Sequence, residues 1–342
     1  MRKFISVCFL IVFALTFVSG ISATAAEKTY ASDKIFSVAA IDNVTDFSEE
    51  TENLSGLGFD AISLKTGEDG LNTEELTKAL SLNKNNMSVI IDCNEENIDE
   101  VFGIAKDYEN VFLRARDMKA NKLTLWAKAK SNKIKVIPSY DGNVIFSAVS
   151  VYNSAKENGF DFCEFTSKNR YSVIYSQLFV NRFDGTQALM PFTEKDFSGQ
   201  RNDSLHGWES ALSLGYSAIE TNNTKEFAKY ISLLDESYIQ LEEVYNEAIK
   251  TDLTPYSSSS TKEFEKQLKK AESILNSDKP SSQLQINECI EKIELAYSDF
   301  ELTDGEENKA ITVTPMKIFW ICFAIALFVS SHIYLHKKTK KS

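Results

Sequence analysis

Between Lys34 and about Leu234 the chain alternates short apolar runs with stretches whose apolar residues recur at helical spacing. The short runs fall at 35–40, 61–64, 87–92, 110–114, 133–138, 160–165, 187–191 and 218–220. Apolar runs of this length, bounded by polar or turn-forming residues, read as strands buried on both faces. Between them lie amphipathic stretches at 73–82, 96–106, 122–130 and 148–158, and Trp126 on the third reads as packing rather than as a ligand stacker. Strand and helix alternating in this way imply parallel strands joined by crossover helices. Eight repeats predict an α/β fold over 34–234, a TIM-type (β/α)8 barrel, with a doubly wound open sheet as the alternative.

Beyond Leu234 the pattern changes to longer helical stretches. Leu234, Tyr238, Leu241, Val244, Tyr245 and Ala248 mark one helix; Pro255 and a serine run then break the chain. Ser260 or Thr261 is expected to cap a second helix reaching about Leu275, and a third is expected from Gln283 to about Phe300. Three helices with short connections predict a small antiparallel three-helix bundle over 235–302.

The two ends carry targeting patterns. Arg2 and Lys3, the apolar run 4–18 and Ala23-Thr24-Ala25 read as a cleaved signal peptide over 1–26. Residues 303–316 read as a polar stalk and 317–336 as a C-terminal transmembrane helix, with Trp320 and Tyr334 at interfacial depth. Lys337, Lys338, Lys340 and Lys341 in the tail 337–342 would hold that end in the cytoplasm. The expected location is therefore a bacterial cell membrane, with the N-terminal ectodomain outside and the membrane itself a partner through the C-terminal helix. No sortase-type LPxTG precedes the span.

Charge narrows the partners. A net charge of -12 argues against nucleic acid, which needs a basic face. Cys8 and Cys322 fall in the terminal apolar segments, leaving Cys93, Cys163 and Cys289, with no metal-ligand spacing among them. Buried free thiols are the expectation, and a Cys93–Cys163 disulfide stays open.

In a barrel of parallel strands, chemistry belongs at the C-terminal ends of the strands. The residues at those ends include Asp42, Ser63, Lys65, Asp92, Arg116, Asp141, Glu164 and Glu220. They are polar but mixed, and no HExxH, GxSxG or phosphate-cradling glycine loop accompanies them. Asp42, Ser63, Lys65, Asp92, Glu164 and Glu220 are the candidate ligand-binding residues.

The segment "RNDSLHGWESALSLGYSAIETNNTKEFAKYI" resembles the end of glycerophosphodiester phosphodiesterase domains, with Gly207, Trp208, Gly215, Ile219, Thr221 and Asn222 as counterparts of that family's motif residues. "GFDAISLKTGEDG" and "LNTEELTKALSLNKNNMSVIID" resemble its second strand and its following helix and third strand. The resemblance implies a phosphodiesterase barrel using two histidines and a divalent metal held by carboxylates. Those residues do not carry over. The first-strand His-Arg-Gly falls near Ala40-Ile41-Asp42, and the second-strand acidic pair falls on Ser63 and Lys65. Of three histidines, His332 and His336 lie at the C-terminal end, so His206 alone remains in the ectodomain. Two-histidine acid–base chemistry is excluded on that count. Lys65 is a candidate to stand where the metal would, offering fixed positive charge to a phosphate. "PYSSSSTKEFEKQLKKAESIL" and "IEKIELAYSDFEL" resemble the FIVAR module of bacterial cell-surface proteins.

Together these imply a non-catalytic phosphodiesterase-like surface protein that binds a glycerophosphate-containing or glycan envelope polymer and needs no cofactor. A divergent hydrolase, using Ca²⁺ or Mg²⁺ on a phosphodiester or carboxylate pairs on a glycoside, is the alternative. A purely structural or protein-interaction ectodomain is the third reading.

Overall fold

The computed structural model describes residues 31–300 apart from 42–46, 68–69, 84–86, 95, 116–133, 168–171, 173, 175, 181–186 and 192–202. The expected signal peptide, stalk, membrane span and basic tail, the stretch 122–130 with Trp126, and Asp42 and Arg116 lie outside the described residues. Among the described residues no helix is long and apolar enough to cross a membrane.

Eight parallel strands close into a barrel in sequence order. They are β1 (Phe36–Ile41), β2 (Ala61–Leu64), β3 (Ser88–Cys93), β4 (Val111–Ala115), β5 (Lys135–Asp141), β6 (Phe162–Thr166), β7 (Gln187–Pro191) and β8 (Ala218–Thr221). Closure is made by β1 against β8, where Val38 stands beside Glu220. The helices described around it are α1 (Phe47–Gly56), α2 (Thr73–Ser81), α3 (Ile98–Ala105), α4 (Ile145–Glu157), α5 (Gln177–Val180) and α6 (Leu205–Leu214). The chain then forms α7 (Thr224–Ala248), α8 (Ser258–Leu275) and α9 (Gln283–Ser298). The closed barrel excludes the open-sheet alternative.

Inward-facing side chains fill the barrel in layers. The lower layer is apolar: Val38, Ala61, Ile90, Phe112, Ile137, Phe162, Leu189 and Ala218, with Phe36 packed against it. Phe36, Phe112 and Phe162 meet as a ring cluster, the first and last with centroids 4.6 Å apart. Two residues further along each strand, period-two alternation points the next layer inward.

Helix α1 departs from the sequence pattern. Its sequence, FSEETENLSG, buries only Phe47, Thr51 and Leu54. A stripe that narrow, one member of it a threonine, leaves too few apolar residues to announce a helix.

The bundle also differs from expectation at two joints. The first helix does not begin at Leu234: α7 runs unbroken for 25 residues from Thr224 and buries Phe227, Tyr230, Leu234, Tyr238, Leu241 and Val244 along one face. The cap of α8 is Ser257, whose side chain accepts from Ser260 N, three residues before the expected start. In a run of four serines each can cap, and Tyr256 stacking on Phe300 places the first of them at the helix start.

Barrel and bundle are tied by polar contacts at helix ends. Lys34, just before β1, donates to the carbonyls of Ile274 and Leu275 at the end of α8 and lies over the Tyr238 ring. Glu209 on α6 accepts from Gln283 N and Leu284 N at the start of α9, and from the Tyr230 hydroxyl. A carboxylate there meets both the unpaired amides and the positive end of the helix dipole. Cys93, Cys163 and Cys289 are buried free thiols. Cys93 and Cys163 lie on β3 and β6, three strand spacings apart around the barrel, beyond the reach of a disulfide.

Two outcomes are expected. Glu209→Ala should lower stability by about 1–2 kcal/mol in urea, the cost of losing its bonds to the first amides of α9 and to the Tyr230 hydroxyl; an unchanged midpoint would show that its contacts add nothing. Glu294 on α9 buries a carboxylate oxygen with no partner among the described residues. Burial, aided by nearby Glu291, pushes its carboxyl from 4.5 up to about 7. Over that interval the unfolded chain releases the proton first, so stability should fall as pH rises from 4.5 to 7. Glu294→Gln should then match the parent near pH ~4.5 and exceed it at pH ~8; an equal difference at both pH values would contradict this.

Candidate functional site at the mouth of the barrel

The second inward layer is where the barrel becomes polar. Its members include Ser63, Asp92, Arg114, Ser139, Glu164 and Glu220, each two residues beyond an apolar residue of the lower layer. The strands that carry them are short and apolar, so burial of the outward residues between sheet and helices sets their register. Ser63, Glu164 and Glu220 are thereby forced inside.

Arg114 holds this layer together. Its Nε donates to Asp92. Its Nη1 donates to Glu164 at 3.0 Å and also to Glu220. Its Nη2 donates to Ser63 Oγ at 2.8 Å and to Glu220 Oε1 at 3.0 Å. All five N–H donors of the guanidinium therefore have acceptors, and Glu220 is held end-on by both terminal nitrogens. Ser139 Oγ donates to the other oxygen of Glu164 at 3.0 Å. Arg114, Glu164 and Glu220 are each 1% exposed, while Asp92 is 13% exposed at the upper edge. Burial by itself would lower the guanidinium's pKa; Asp92, Glu220 and Glu164 override it and raise the value well above the ordinary one. The side chain is thus a fixed cation. Burial, with Asp92 adding to it, pushes the outward-lying Cys93 thiol up to about 12, so it is no nucleophile.

Of the six candidate residues, four meet in this cluster: Ser63, Asp92, Glu164 and Glu220. Lys65 does not take the central position expected of it. It lies just past β2 and is exposed, and the cation at the centre is Arg114 instead. The reason is level along the strand and length: Lys65 shares the parity of Ser63 but lies beyond the end of β2, above the layer. Arg114 follows Phe112 by two on β4, so it points to the axis within the layer, with a stem long enough to reach four other strands. The sequence signal was available: a lone arginine inside the apolar run VFLRA, at the inward parity.

Above this layer the connection after β2 folds tightly. Leu71 N donates to Lys65 O, and Thr66 pairs with Leu71. A Cβ at Gly70 would lie 2.4 Å from the Lys65 carbonyl, so only glycine fits. Thr66 Oγ1 donates to Asp92 O and accepts from Asn97, tying the ends of β2 and β3 to α3.

The motif around Trp208 also has a structural task. Asp203 accepts from Trp208 Nε1, Thr221 Oγ1, Asn222 N and Asn223 N. It clamps the turn between β8 and α7, and Trp208 packs on Phe227 and Tyr230. His206 lies in the first turn of α6, where it is exposed.

The carboxylates do not fit a divalent cation. Asp92, Glu164 and Glu220 all face the guanidinium, which fills the space a cation between them would need. Among the described residues no group of three or more His, Cys, Asp or Glu is arranged to hold a metal ion.

No protein-family model matches the chain, and no curated protein does. Solved structures with a similar course include dihydropteroate synthase from Thermus thermophilus in complex with 6HMPPP, at 11% identity and TM-score 0.48, over 60% of this chain and 95% of that one. The Yersinia pestis dihydropteroate synthase with a pterine-sulfa conjugate shows 11% identity and TM-score 0.46, over 64% of this chain and 98% of that one. Phosphoribosylanthranilate isomerase from Thermotoga maritima shows 11% identity and TM-score 0.41, over 58% and 96%. These likenesses concern architecture and say nothing of substrate.

Arg114→Met should cost about 3–5 kcal/mol in urea denaturation, because it strands three buried carboxylates. Asp92→Asn should cost less, since the guanidinium keeps two carboxylate partners and Asp92 is the most exposed of the three. A parent-like Arg114→Met would show that the cluster does not hold the barrel.

Proposed function

We propose that the chain is a membrane-anchored bacterial surface protein whose barrel binds an envelope polymer without cleaving it. One observation carries the non-catalytic part: the buried carboxylates at the barrel mouth are all taken up by Arg114. A general acid or base must be reachable by substrate, and a pair for glycoside hydrolysis needs two carboxylates flanking an open space. Glu164 and Glu220 satisfy neither condition. The resemblance to phosphodiesterase domains lacks its two histidines, which points the same way. The FIVAR-like bundle and the terminal segments support surface display.

In this reading Ser63, Asp92, Glu164 and Glu220 support the mouth from below, and ligand contacts come from residues above them. The polymer class is a glycan or a glycerophosphate-containing chain.

The test is hydrolysis of glycerophosphodiesters by the purified chain, with and without Ca²⁺ or Mg²⁺. No turnover is expected under either condition, with folding confirmed by circular dichroism. Metal-dependent turnover that Asp92→Asn abolishes would overturn the reading and mean that Arg114 leaves the cluster to admit a metal.

A further inference from the structure

Between β8 and α7 the chain builds a donor set suited to an oxyanion and fills it with a group of its own. Two buried side chains and two backbone amides converge on Asp203. Its Oδ1 accepts from Trp208 Nε1 at 2.9 Å and from Thr221 Oγ1 at 2.6 Å. Its Oδ2 accepts from Asn222 N at 2.8 Å and from Asn223 N at 3.2 Å. Four donors meet the four lone-pair positions of one carboxylate, which is thereby saturated. Trp208 is 2% and Thr221 0% exposed, so without an acceptor here both donors would be left buried and unmatched.

Ordinary helix capping does not account for this arrangement. Asn223 stands at the N-cap of α7 yet makes no side-chain cap bond. Its side-chain amide donates instead to Asp203 O at 2.6 Å and so holds the aspartate in place. Asp203 belongs to the connection between β7 and α6, 18 to 20 residues upstream of the groups it accepts from in Thr221, Asn222 and Asn223. Ser204, at the N-cap of α6, makes no side-chain cap bond either. The aspartate nearest to the start of α6 thus serves the start of α7.

Position and chemistry say what else such a seat would take. In parallel barrels the connections after the seventh and eighth strands, with a helix N-terminus, form a recurrent site for phosphate groups. There amides point at the oxygens and the helix dipole favours negative charge. The 25 residues of α7 turn that positive end toward Asp203. The seat also meets solvent, since Asp203 is half-buried and Asn222 and Asn223 are exposed. A carboxylate tethered in the same chain reaches these donors at an effective concentration that a dilute free anion cannot match.

We infer that Asp203 is a built-in substitute for a ligand phosphate, a specificity-determining residue that occupies the anion seat at the β8 end of the mouth and keeps phosphate groups out of it. A ligand of this barrel docks with no phosphate in that position. The inference holds for a cleaving and for a non-cleaving barrel alike.

The test is binding of radiolabelled inorganic phosphate to the full chain in detergent, by equilibrium dialysis at fixed ionic strength. Urea denaturation in phosphate and in chloride gives a second readout. For the parent, phosphate should leave the midpoint where chloride leaves it. Asp203→Ala should be less stable in chloride, should bind one phosphate at least about tenfold more tightly than the parent, and should regain part of its midpoint in phosphate. Thr221→Val added to Asp203→Ala removes one donor and should weaken the gained binding. Asp203→Ser, which keeps one acceptor oxygen and opens the rest of the seat, should show the same gain to a smaller degree, and carries the test if Asp203→Ala does not fold. A folded variant that gains no phosphate binding overturns the inference. So does a parent stabilised by phosphate as much as the variant. A gain untouched by Thr221→Val means an adventitious ion only, and overturns it as well.

Discussion

Five hydrogen bonds from one buried guanidinium organise the upper half of this barrel. Arg114 reaches from β4 to β2, β3, β6 and β8, strands that are not all neighbours in the sheet. A polar layer inside a barrel is costly unless every donor and acceptor is met. Here the donors are met in full, and the carboxylates outnumber the cation. The arrangement is stable with Arg114 in place and strongly strained in charge without it. On the reading proposed it also bears on what the mouth can do, because Glu164 and Glu220 are engaged by the guanidinium.

The apolar layer below makes the polar layer possible. Phe36, Phe112 and Phe162 pack together at the barrel's lower end, so the guanidinium stands on an apolar floor. Low polarizability there strengthens each ion pair and raises the penalty for breaking one. Function, on the reading proposed, is displaced upward to the rim.

The helical bundle is fastened to the barrel by the same physics at another scale. Lys34 meets carbonyls at the end of α8, and Glu209 meets amides at the start of α9. Each charge finds the helix terminus of opposite partial charge. Because α7 belongs to both parts, the bundle continues the barrel's last helix.

Much of this was legible in the amino-acid order. Alternation of apolar runs and helical stretches placed eight strands to within three residues at either end, since strands buried on both faces must be apolar throughout. The three bundle helices were legible through their periodicity, although α7 begins ten residues before Leu234 and α8 is capped by Ser257 rather than by Ser260 or Thr261. Ser63, Asp92, Glu164 and Glu220 could be named because parallel barrels put polar residues at strand ends. What bound them could not. Whether a carboxylate faces a metal, a substrate or an arginine depends on which side chain from another strand reaches the axis, and Arg114 lies 50 residues from Glu164 and 106 from Glu220. Lys65 and Arg114 are both basic residues near strand ends. Only closure of the barrel, which sends position 114 inward and leaves position 65 in water, decided between them.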